Sequence, residues 1–447
     1  MYLPPATPAQ AREVYAMLHV TPATVRLGRI YDRLYFGSAA LHLIVRFAFL
    51  WLGLSRTVRL QSDRLAFLML RIGLVRNLRR YIRNGVFRAE QWGLPVRPVI
   101  VGAKNSSLGK SLQRVNILWP PELARSAFIY YLIYTFIFTM FWSPLTYYED
   151  FLLPHRFGLS HQPLFAWVGG VLKDSFVSAI IGSVTASIVT SGISMYPQRW
   201  AKIFAYWSAP IILVGIFLDP LFSQIDNHFT SLSPTSPLYV PLHQLANRAG
   251  VPNAAILVAD KSKQTDETNA YVTGLGSSAQ IVLWDTTIKR MRTDEVVAII
   301  GHELGHYVEH HVIIGGVLAA VSMFVFLPAL KWLAELILYR FGRRWKINSL
   351  SDPAALPVLL ISLSLLNFLT SPVTNAVSRT IEHRADSFGL AVTGNRLAMA
   401  RALVDLANEN LEDPFPSQWE VFWLQDHPPF GERIKFALYG QPMTVRH

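Results

Sequence analysis

The sequence predicts a mainly α, multi-span integral membrane protein that carries a small α+β domain outside the bilayer. Composition is the first reason. Only 16% of the 447 residues are charged and 51% are hydrophobic, whereas a soluble chain carries roughly 25% charged residues. The second reason is that six separate stretches are apolar enough to cross the hydrocarbon, each near the ~20 residues a spanning helix needs.

Taken in order, residues 1–33 are polar, broken by prolines and without an apolar h-region, so no cleaved leader is expected. The first span is Leu34–Leu54, interrupted by His42 and Arg46. The second, Ser126–Tyr147, ends in an aromatic cluster suited to the headgroup boundary. Ser175–Ile193, entered through Lys173-Asp174, is the third, and Ile203–Phe222 the fourth. These four make a membrane domain over residues 34–222. Two more, Val312–Leu330 and Ala354–Val377, make a pair over residues 312–377.

Residues 55–124 form a basic connector between the first two spans. From Arg56 to Arg125 there are fourteen Lys or Arg against three Asp or Glu. A basic block beside apolar runs meets anionic lipid headgroups, so the net charge of +12 is assigned to the bilayer and to solubility, with no nucleic-acid partner expected. Within it, Leu65–Val75 reads as an interfacial helix. Gly102–Ser111 approaches a phosphate-binding loop, but Lys104 stands where the first glycine belongs and Pro120-Pro121 cuts off the helix that should follow. No nucleotide is expected.

Residues 223–311 read as an extramembrane domain. Ala255–Val258, Asn269–Val272 and Gln280–Trp284 have strand character, and Thr293-Asp294-Glu295 opens a helix. That helix carries His302-Glu303-Leu304-Gly305-His306. Positions four apart share a helix face, so both imidazoles reach one ion, and Glu303 lies where it can take a proton from water activated there. The chain has no cysteine, so any metal is held by His and carboxylates. Two incidental histidines on a surface helix are the plainer alternative, but the motif follows the apolar run Val296–Ile300 on a half-buried helix.

A third ligand is required. A histidine six residues after His306 would complete one known zinc pattern, but that position is Val312. His310 and His311 read as the exit of the helix toward the membrane surface. Residues 378–447 are again helical and polar, and there Glu382 and Asp386 lie four apart. One can bind metal while the other fixes the tautomer of a ligand histidine; alternatively both are surface acids pairing with Arg379 and Arg384.

At these residues the chain resembles the type I CAAX prenyl proteases, from about Tyr31 to Ala437 apart from the connector. The matching strings are Arg156–Ser160, Lys173-Asp174, Asp219–Phe222, Asn269-Ala270-Tyr271, Asp285-Thr286, the HELGH pentapeptide and Ser378-Arg379 leading into Glu382 and Asp386. The last are His427-Pro428-Pro429 and Glu432-Arg433. The resemblance implies an α-helical barrel around a water-filled chamber, closed by a zinc metalloendopeptidase domain facing the cytosol. It implies one Zn2+ on His302, His306 and Glu382, with Asp386 behind the ligands and Glu303 as catalytic base. It further implies His427 and Arg433 at the oxyanion, and Asn269-Ala270 as the edge that pairs with substrate backbone. The expected partners are a peptide or protein substrate, membrane-associated or lipidated, and the lipid bilayer. The chain departs from the family in lacking the first of seven spans and in its connector. A membrane quality-control protease of the heat-shock type would use the same chemistry. A non-catalytic scaffold would require a lost ligand or base, and none is lost.

Overall fold

A computed structural model gives the fold and describes residues 3–18, 22–71, 121–158, 160–226, 228–263, 268–274, 279–409 and 412–443. Most of the basic connector, including residues 72–75 and 102–111, lies outside the described residues.

The predicted spans fall on helices, except that the first, Leu34–Leu54, runs over a break at residues 52–53. After α1 (Pro8–Met17) come α2 (Pro22–Trp51), α3 (Leu54–Arg71), α4 (Pro121–Thr146), α5 (Leu164–Met195) and α6 (Trp200–Asp226). The chain turns between α2 and α3 at Gly53, whose φ of 72° lies in the left-handed region glycine tolerates, and the axis bends by 66°. Leu65 and its neighbours therefore continue a helix that starts at Leu54. Lys173-Asp174 lies inside α5, which begins at Leu164, rather than at its mouth. Among the described residues four helices are long and apolar enough to cross a bilayer, or five if the bent pair counts as one span; α6 contributes a shorter apolar helix, Trp200–Ile216. Only 6% of the most apolar stretch of the helix over His311–Trp345 is buried by protein. Side chains such as Phe165, Phe176 and Val325 stand out from the bundle. Apolar surface this extensive requires lipid around it.

The polar interruptions of the first span turn inward. Arg46 Nη1 donates to Ser364 Oγ at 2.8 Å, and the His42 ring stacks 3.7 Å from Trp142. Ionisable side chains at membrane depth need such partners.

The extramembrane part begins with β1 (Phe229–Ser231), α7 (Tyr239–Arg248), β2 (Ala255–Ala259), β3 (Ala270–Thr273) and β4 (Gln280–Trp284). The sheet order is β1-β2-β4-β3, with β2 and β4 parallel and the outer strands antiparallel to their neighbours. Three of these strands are legible in the sequence; β1 is too short to be. After α8 (Asp285–Arg290), α9 (Thr293–Val308) packs on β3, the edge strand. Its N-cap is Arg292 rather than Thr293, and Glu295 reaches back to accept from the Arg292 N–H at 2.8 Å.

The remaining helices are α10 (His311–Trp345), α11 (Leu356–Thr393), α12 (Arg396–Glu409), α13 (Gln418–Trp423) and α14 (Phe430–Tyr439). Position 377/378, where the sequence suggests a boundary, falls inside α11, which runs unbroken from the apolar stretch into the metal-site domain. The N-terminal segment also joins this domain: Ala11 and Val14 of α1 are buried with the sheet, α9 and α12. Buried Arg396 secures it by donating to the carbonyls of Leu3, Pro4 and Ala437.

Candidate metal centre

The centre is made where α9 and α11 cross, and glycines let them approach. A Cβ on Gly389 would lie 2.8 Å from the His302 backbone N, one on Gly305 would lie 3.0 Å from the Ala385 Cα, and one on Gly301 would meet the Thr393 methyl at 2.8 Å. With no side chains in between, His302 and His306 on one helix face Glu382 and Asp386 on the other.

The two imidazoles point Nε2 at each other, 3.2 Å apart. His302 Nε2 lies 3.3 Å from Glu382 Oε2 and His306 Nε2 lies 3.3 Å from Glu382 Oε1. Ligand–ligand edges of this length belong to a tetrahedral ion with bonds of about 2.0 Å, the value for zinc on N and O donors. Glu382 Oε2 is buried and has no hydrogen-bond partner among the described residues. An acceptor left unpaired inside a protein is costly, and a cation between the three side chains supplies what it lacks. The donor set therefore fits a zinc ion.

Behind the ligands, each rear nitrogen is engaged. His302 Nδ1 lies 2.8 Å from Asp386 Oδ1, and His306 Nδ1 lies 3.2 Å from His311 Nδ1. The Asp386 carboxylate can only accept, so it favours the Nδ1–H tautomer of His302 and leaves Nε2 facing the Glu382 carboxylate. Glu382 and Asp386 are both buried. Arg379 and Arg384, their alternative surface partners, are engaged elsewhere. Arg384 Nε donates to Glu309 at 2.8 Å, while Arg379 donates to the carbonyls of Val421 and Gln425.

His311 is the residue the sequence does not reveal. Five residues after His306 it would face away on a continuous helix. Instead the chain breaks after Val308, His310 adopts φ 55°, and α10 restarts with His311 turned back under His306. The Arg379 tether is equally hidden, because its partners are backbone carbonyls far along the chain. It anchors the segment that presents His427.

Glu303 follows His302 on α9 and is half-buried. Burial pushes its carboxyl pKa up, and the adjacent imidazoles only partly offset this. A carboxylate so raised is nearer the working range of a general base. His427 brings Nε2 within 3.4 Å of Glu382 Oε1, while its Nδ1 lies 2.8 Å from Asp426. The Asp426 carboxylate, outweighing burial, raises the His427 pKa. Arg433 is buried and bonded to Asp386, with Nη2 3.4 Å from His302 Nδ1 and 4.0 Å from Glu382 Oε2.

The remaining expected residues are Asn269 and Ala270. Asn269 shares a cavity wall with His427 and Arg433. Its side chain is turned onto its own strand: Oδ1 accepts from the Ala270 N–H at 2.7 Å. Ala270 itself is buried.

This fold and this site define a class, the membrane-embedded metallopeptidases. Comparison with known proteins narrows it. The description "Peptidase family M48" matches residues 238–440, and "CAAX prenyl protease N-terminal, five membrane helices" matches residues 102–224, so the second match begins inside the basic connector. The chain belongs to the type I CAAX prenyl protease family. It is 31% identical over 286 residues to an uncharacterized metalloprotease, YhfN, of Bacillus subtilis, a match covering 63% of this chain and 66% of that one. CAAX prenyl protease 1 of Saccharomyces cerevisiae is 27% identical over 65% of this chain and 67% of its own length. The Arabidopsis thaliana homolog is 28% identical over 68% and 72% respectively. These matches thus span about two thirds of the relatives' length. The crystal structure of S. mikatae Ste24p shares the fold, with a TM-score of 0.61 at 21% identity over 87% of this chain and 98% of that one.

Proposed function

We propose that this protein is an integral-membrane zinc metalloendopeptidase in which His302, His306 and Glu382 hold the ion and Glu303 is the general base. The observation that carries the reading is the 3.2–3.3 Å triangle of ligand atoms beside Glu303. Zinc there would polarise the scissile carbonyl and bring the pKa of a water toward about 7. Glu303 would take the proton from that water and pass it to the leaving amine. Asp386 holds His302 in the ligating tautomer and Arg433 holds Asp386. His427, its Nε2 facing the triangle, offers an N–H to the oxyanion, and the Arg433 charge lies behind it.

An extended peptide would bind along the outer edge of β3, where Asn269 leads into Ala270. The substrate we propose is a peptide or protein delivered from the bilayer, prenylated or otherwise membrane-bound. Two observations support this: relatives are named as CAAX prenyl proteases, and α11 leads unbroken from the apolar stretch to Glu382. The cytosolic placement of the metal domain is carried over from the family. Arg340, Arg343, Arg344 and Lys346, at the far end of α10, count toward the opposite orientation. Labelling a single cysteine introduced at Ser236, in a chain that has none of its own, with an impermeant thiol reagent on sealed cells decides between them.

The test of the chemistry is Glu303→Gln. The purified variant is expected to keep about one zinc per chain and to lose about 10²–10⁴ in peptide turnover. Near-normal turnover would refute the role given to Glu303, and lost zinc would make it a ligand.

A further inference from the structure

The far end of α10 carries a charged surface that the peptidase reading does not use. Arg340, Arg343, Arg344 and Lys346 are all exposed there, and no acidic residue occurs between Glu335 and Asp352. Among the described residues none of the four is paired with a carboxylate. The next charges back along the helix differ in this respect, because Lys331 and Glu335 lie 3.7 Å from each other and Lys331 also donates to the Gln198 carbonyl. Like charges gathered without a counter-charge repel, and an anion among them removes the repulsion.

Two independent observations say which anion. The first is a stripe of α10 that carries two chemistries in order. Trp332, Leu336, Tyr339 and Arg343 follow one another at steps of four, three and four residues, which keeps them on one helix face. The first three are exposed, Tyr339 by 88%. Apolar rings and a leucine leading to an arginine match an acyl chain leading to a phosphate; a small anion in water has no use for the apolar part. The level fits too. From Val312 to Tyr339 the helix rises about 42 Å, and a bilayer with its headgroups is about 40–45 Å thick. The arginines therefore arrive where phosphates lie.

The second observation is the Arg344 guanidinium, whose carbon lies 3.7 Å from the centre of the Trp51 ring at the end of α2. Stacking fixes the plane of the guanidinium and leaves its N–H edges for a two-point grip on phosphate oxygens. Trp51 and the neighbouring Leu52 are exposed, which carries the apolar surface round to the bend between α2 and α3.

We propose that the corner between α2 and α10 binds the headgroup of an anionic phospholipid, its phosphate on Arg343 and Arg344 and an acyl chain along Tyr339, Leu336 and Trp332. This goes beyond the peptidase reading and stands without it. A choline headgroup brings a cation of its own into a cluster that already has four, so an anionic lipid is preferred to a zwitterionic one.

The experiment uses the full-length protein in detergent. The chain has no cysteine, so Asn348→Cys, at an exposed position beside the cluster, carries a single fluorophore. It is titrated with quencher-bearing phosphatidylglycerol or phosphatidylcholine of the same chains. Phosphatidylglycerol is expected to quench at about five-fold lower lipid fraction, an advantage that shrinks in about 0.5 M salt. Arg343→Gln with Arg344→Gln brings the two lipids within about two-fold, whereas Lys at both positions keeps most of the preference. Arg340→Gln with Arg343→Gln leaves the Arg344–Trp51 stack intact and is expected to remove at least half of the advantage, so the result does not hang on the packing of Trp51. A large excess of inorganic phosphate leaves the quenching in place if a lipid is the ligand. Equal quenching by the two lipids, a preference that survives both Gln pairs, or full displacement by inorganic phosphate overturns the proposal.

Discussion

Arg433 lies on Asp386 at two points, Nη2 2.7 Å from Oδ1 and Nε 2.9 Å from Oδ2, with both side chains withdrawn from water. The same Oδ1 is 2.8 Å from His302 Nδ1. One carboxylate therefore aligns the imidazole proposed to ligate the metal while being aligned by a guanidinium. The family resemblance gives Arg433 to the oxyanion; its geometry gives it first to Asp386. A charge so fixed can still act on the reacting centre from behind.

Asp386→Asn keeps the shape and removes the charge that fixes His302. Zinc affinity, measured by competition with a chelator, is expected to fall by about 10–100-fold. Arg433→Lys keeps a cation but not the two-point grip, so a smaller loss of affinity is expected together with lower kcat. Unchanged zinc affinity in Asp386→Asn would remove Asp386 from the support of the centre.

Gly389→Ala places a methyl against the backbone of His302, 2.8 Å from its N, where neither partner can rotate away. The helices must separate. A stability loss of about 1–3 kcal/mol is expected from overpacking, with a parallel loss of zinc affinity because Glu382 moves off the histidines. Gly394→Ala is the control. It strains a left-handed helix cap (φ 67°) with nothing within 4 Å of the added Cβ, so it should cost about 1–2 kcal/mol and leave zinc affinity intact. Equal zinc affinity in the two variants would contradict the packing argument.

What the sequence makes legible here follows periodicity. The apolar stretches, the strands around Ile256, Tyr271 and Val282, and the same-face pairs His302/His306 and Glu382/Asp386 all repeat at the spacing of their own element, so each could be read locally. What escapes is set by breaks and by distant backbone. His311 comes under His306 only because His310 takes a left-handed φ. The loop that carries His427 is held by Arg379 through carbonyls more than forty positions away. The membrane and metal domains, separable by composition at residue 377, share one helix, since a polar turn can continue an apolar one without any change of backbone.

Asn269 tests the edge-strand docking. Its side chain closes on Ala270 N–H at 2.7 Å, and its main-chain carbonyl accepts from Trp284 N and Thr287 Oγ1 at 3.1 and 2.7 Å. A peptide on this edge must take over the side-chain amide. Asn269→Ala is expected to weaken kcat/KM by about 1–3 kcal/mol with zinc content unchanged. If both binding and turnover survive, substrate does not dock on β3.

Asp405 makes stability depend on pH at a distance from the metal. It faces Glu295, which is fully buried at the start of α9, with Glu409 also near; Arg401 is the nearby cation, 3.4 Å from Glu295 and 2.7 Å from Asp294. Burial first, and then repulsion from Glu295, raises the Asp405 pKa from 3.8 to about 6. The folded state thus holds a proton that the unfolded chain releases, so between about pH 3.8 and 6 this group's contribution to stability falls as pH rises. Asp405→Asn imitates the protonated form at every pH. It is expected to raise the unfolding temperature at pH 7.5, and the gain should be smaller at pH 5, below the folded-state pKa of about 6. Thermal unfolding followed by tryptophan fluorescence in one detergent at both pH values reads it directly. A gain that is constant, or that grows on acidification, would mean that Asp405 is ionised in the folded protein throughout and that Arg401 outweighs Glu295.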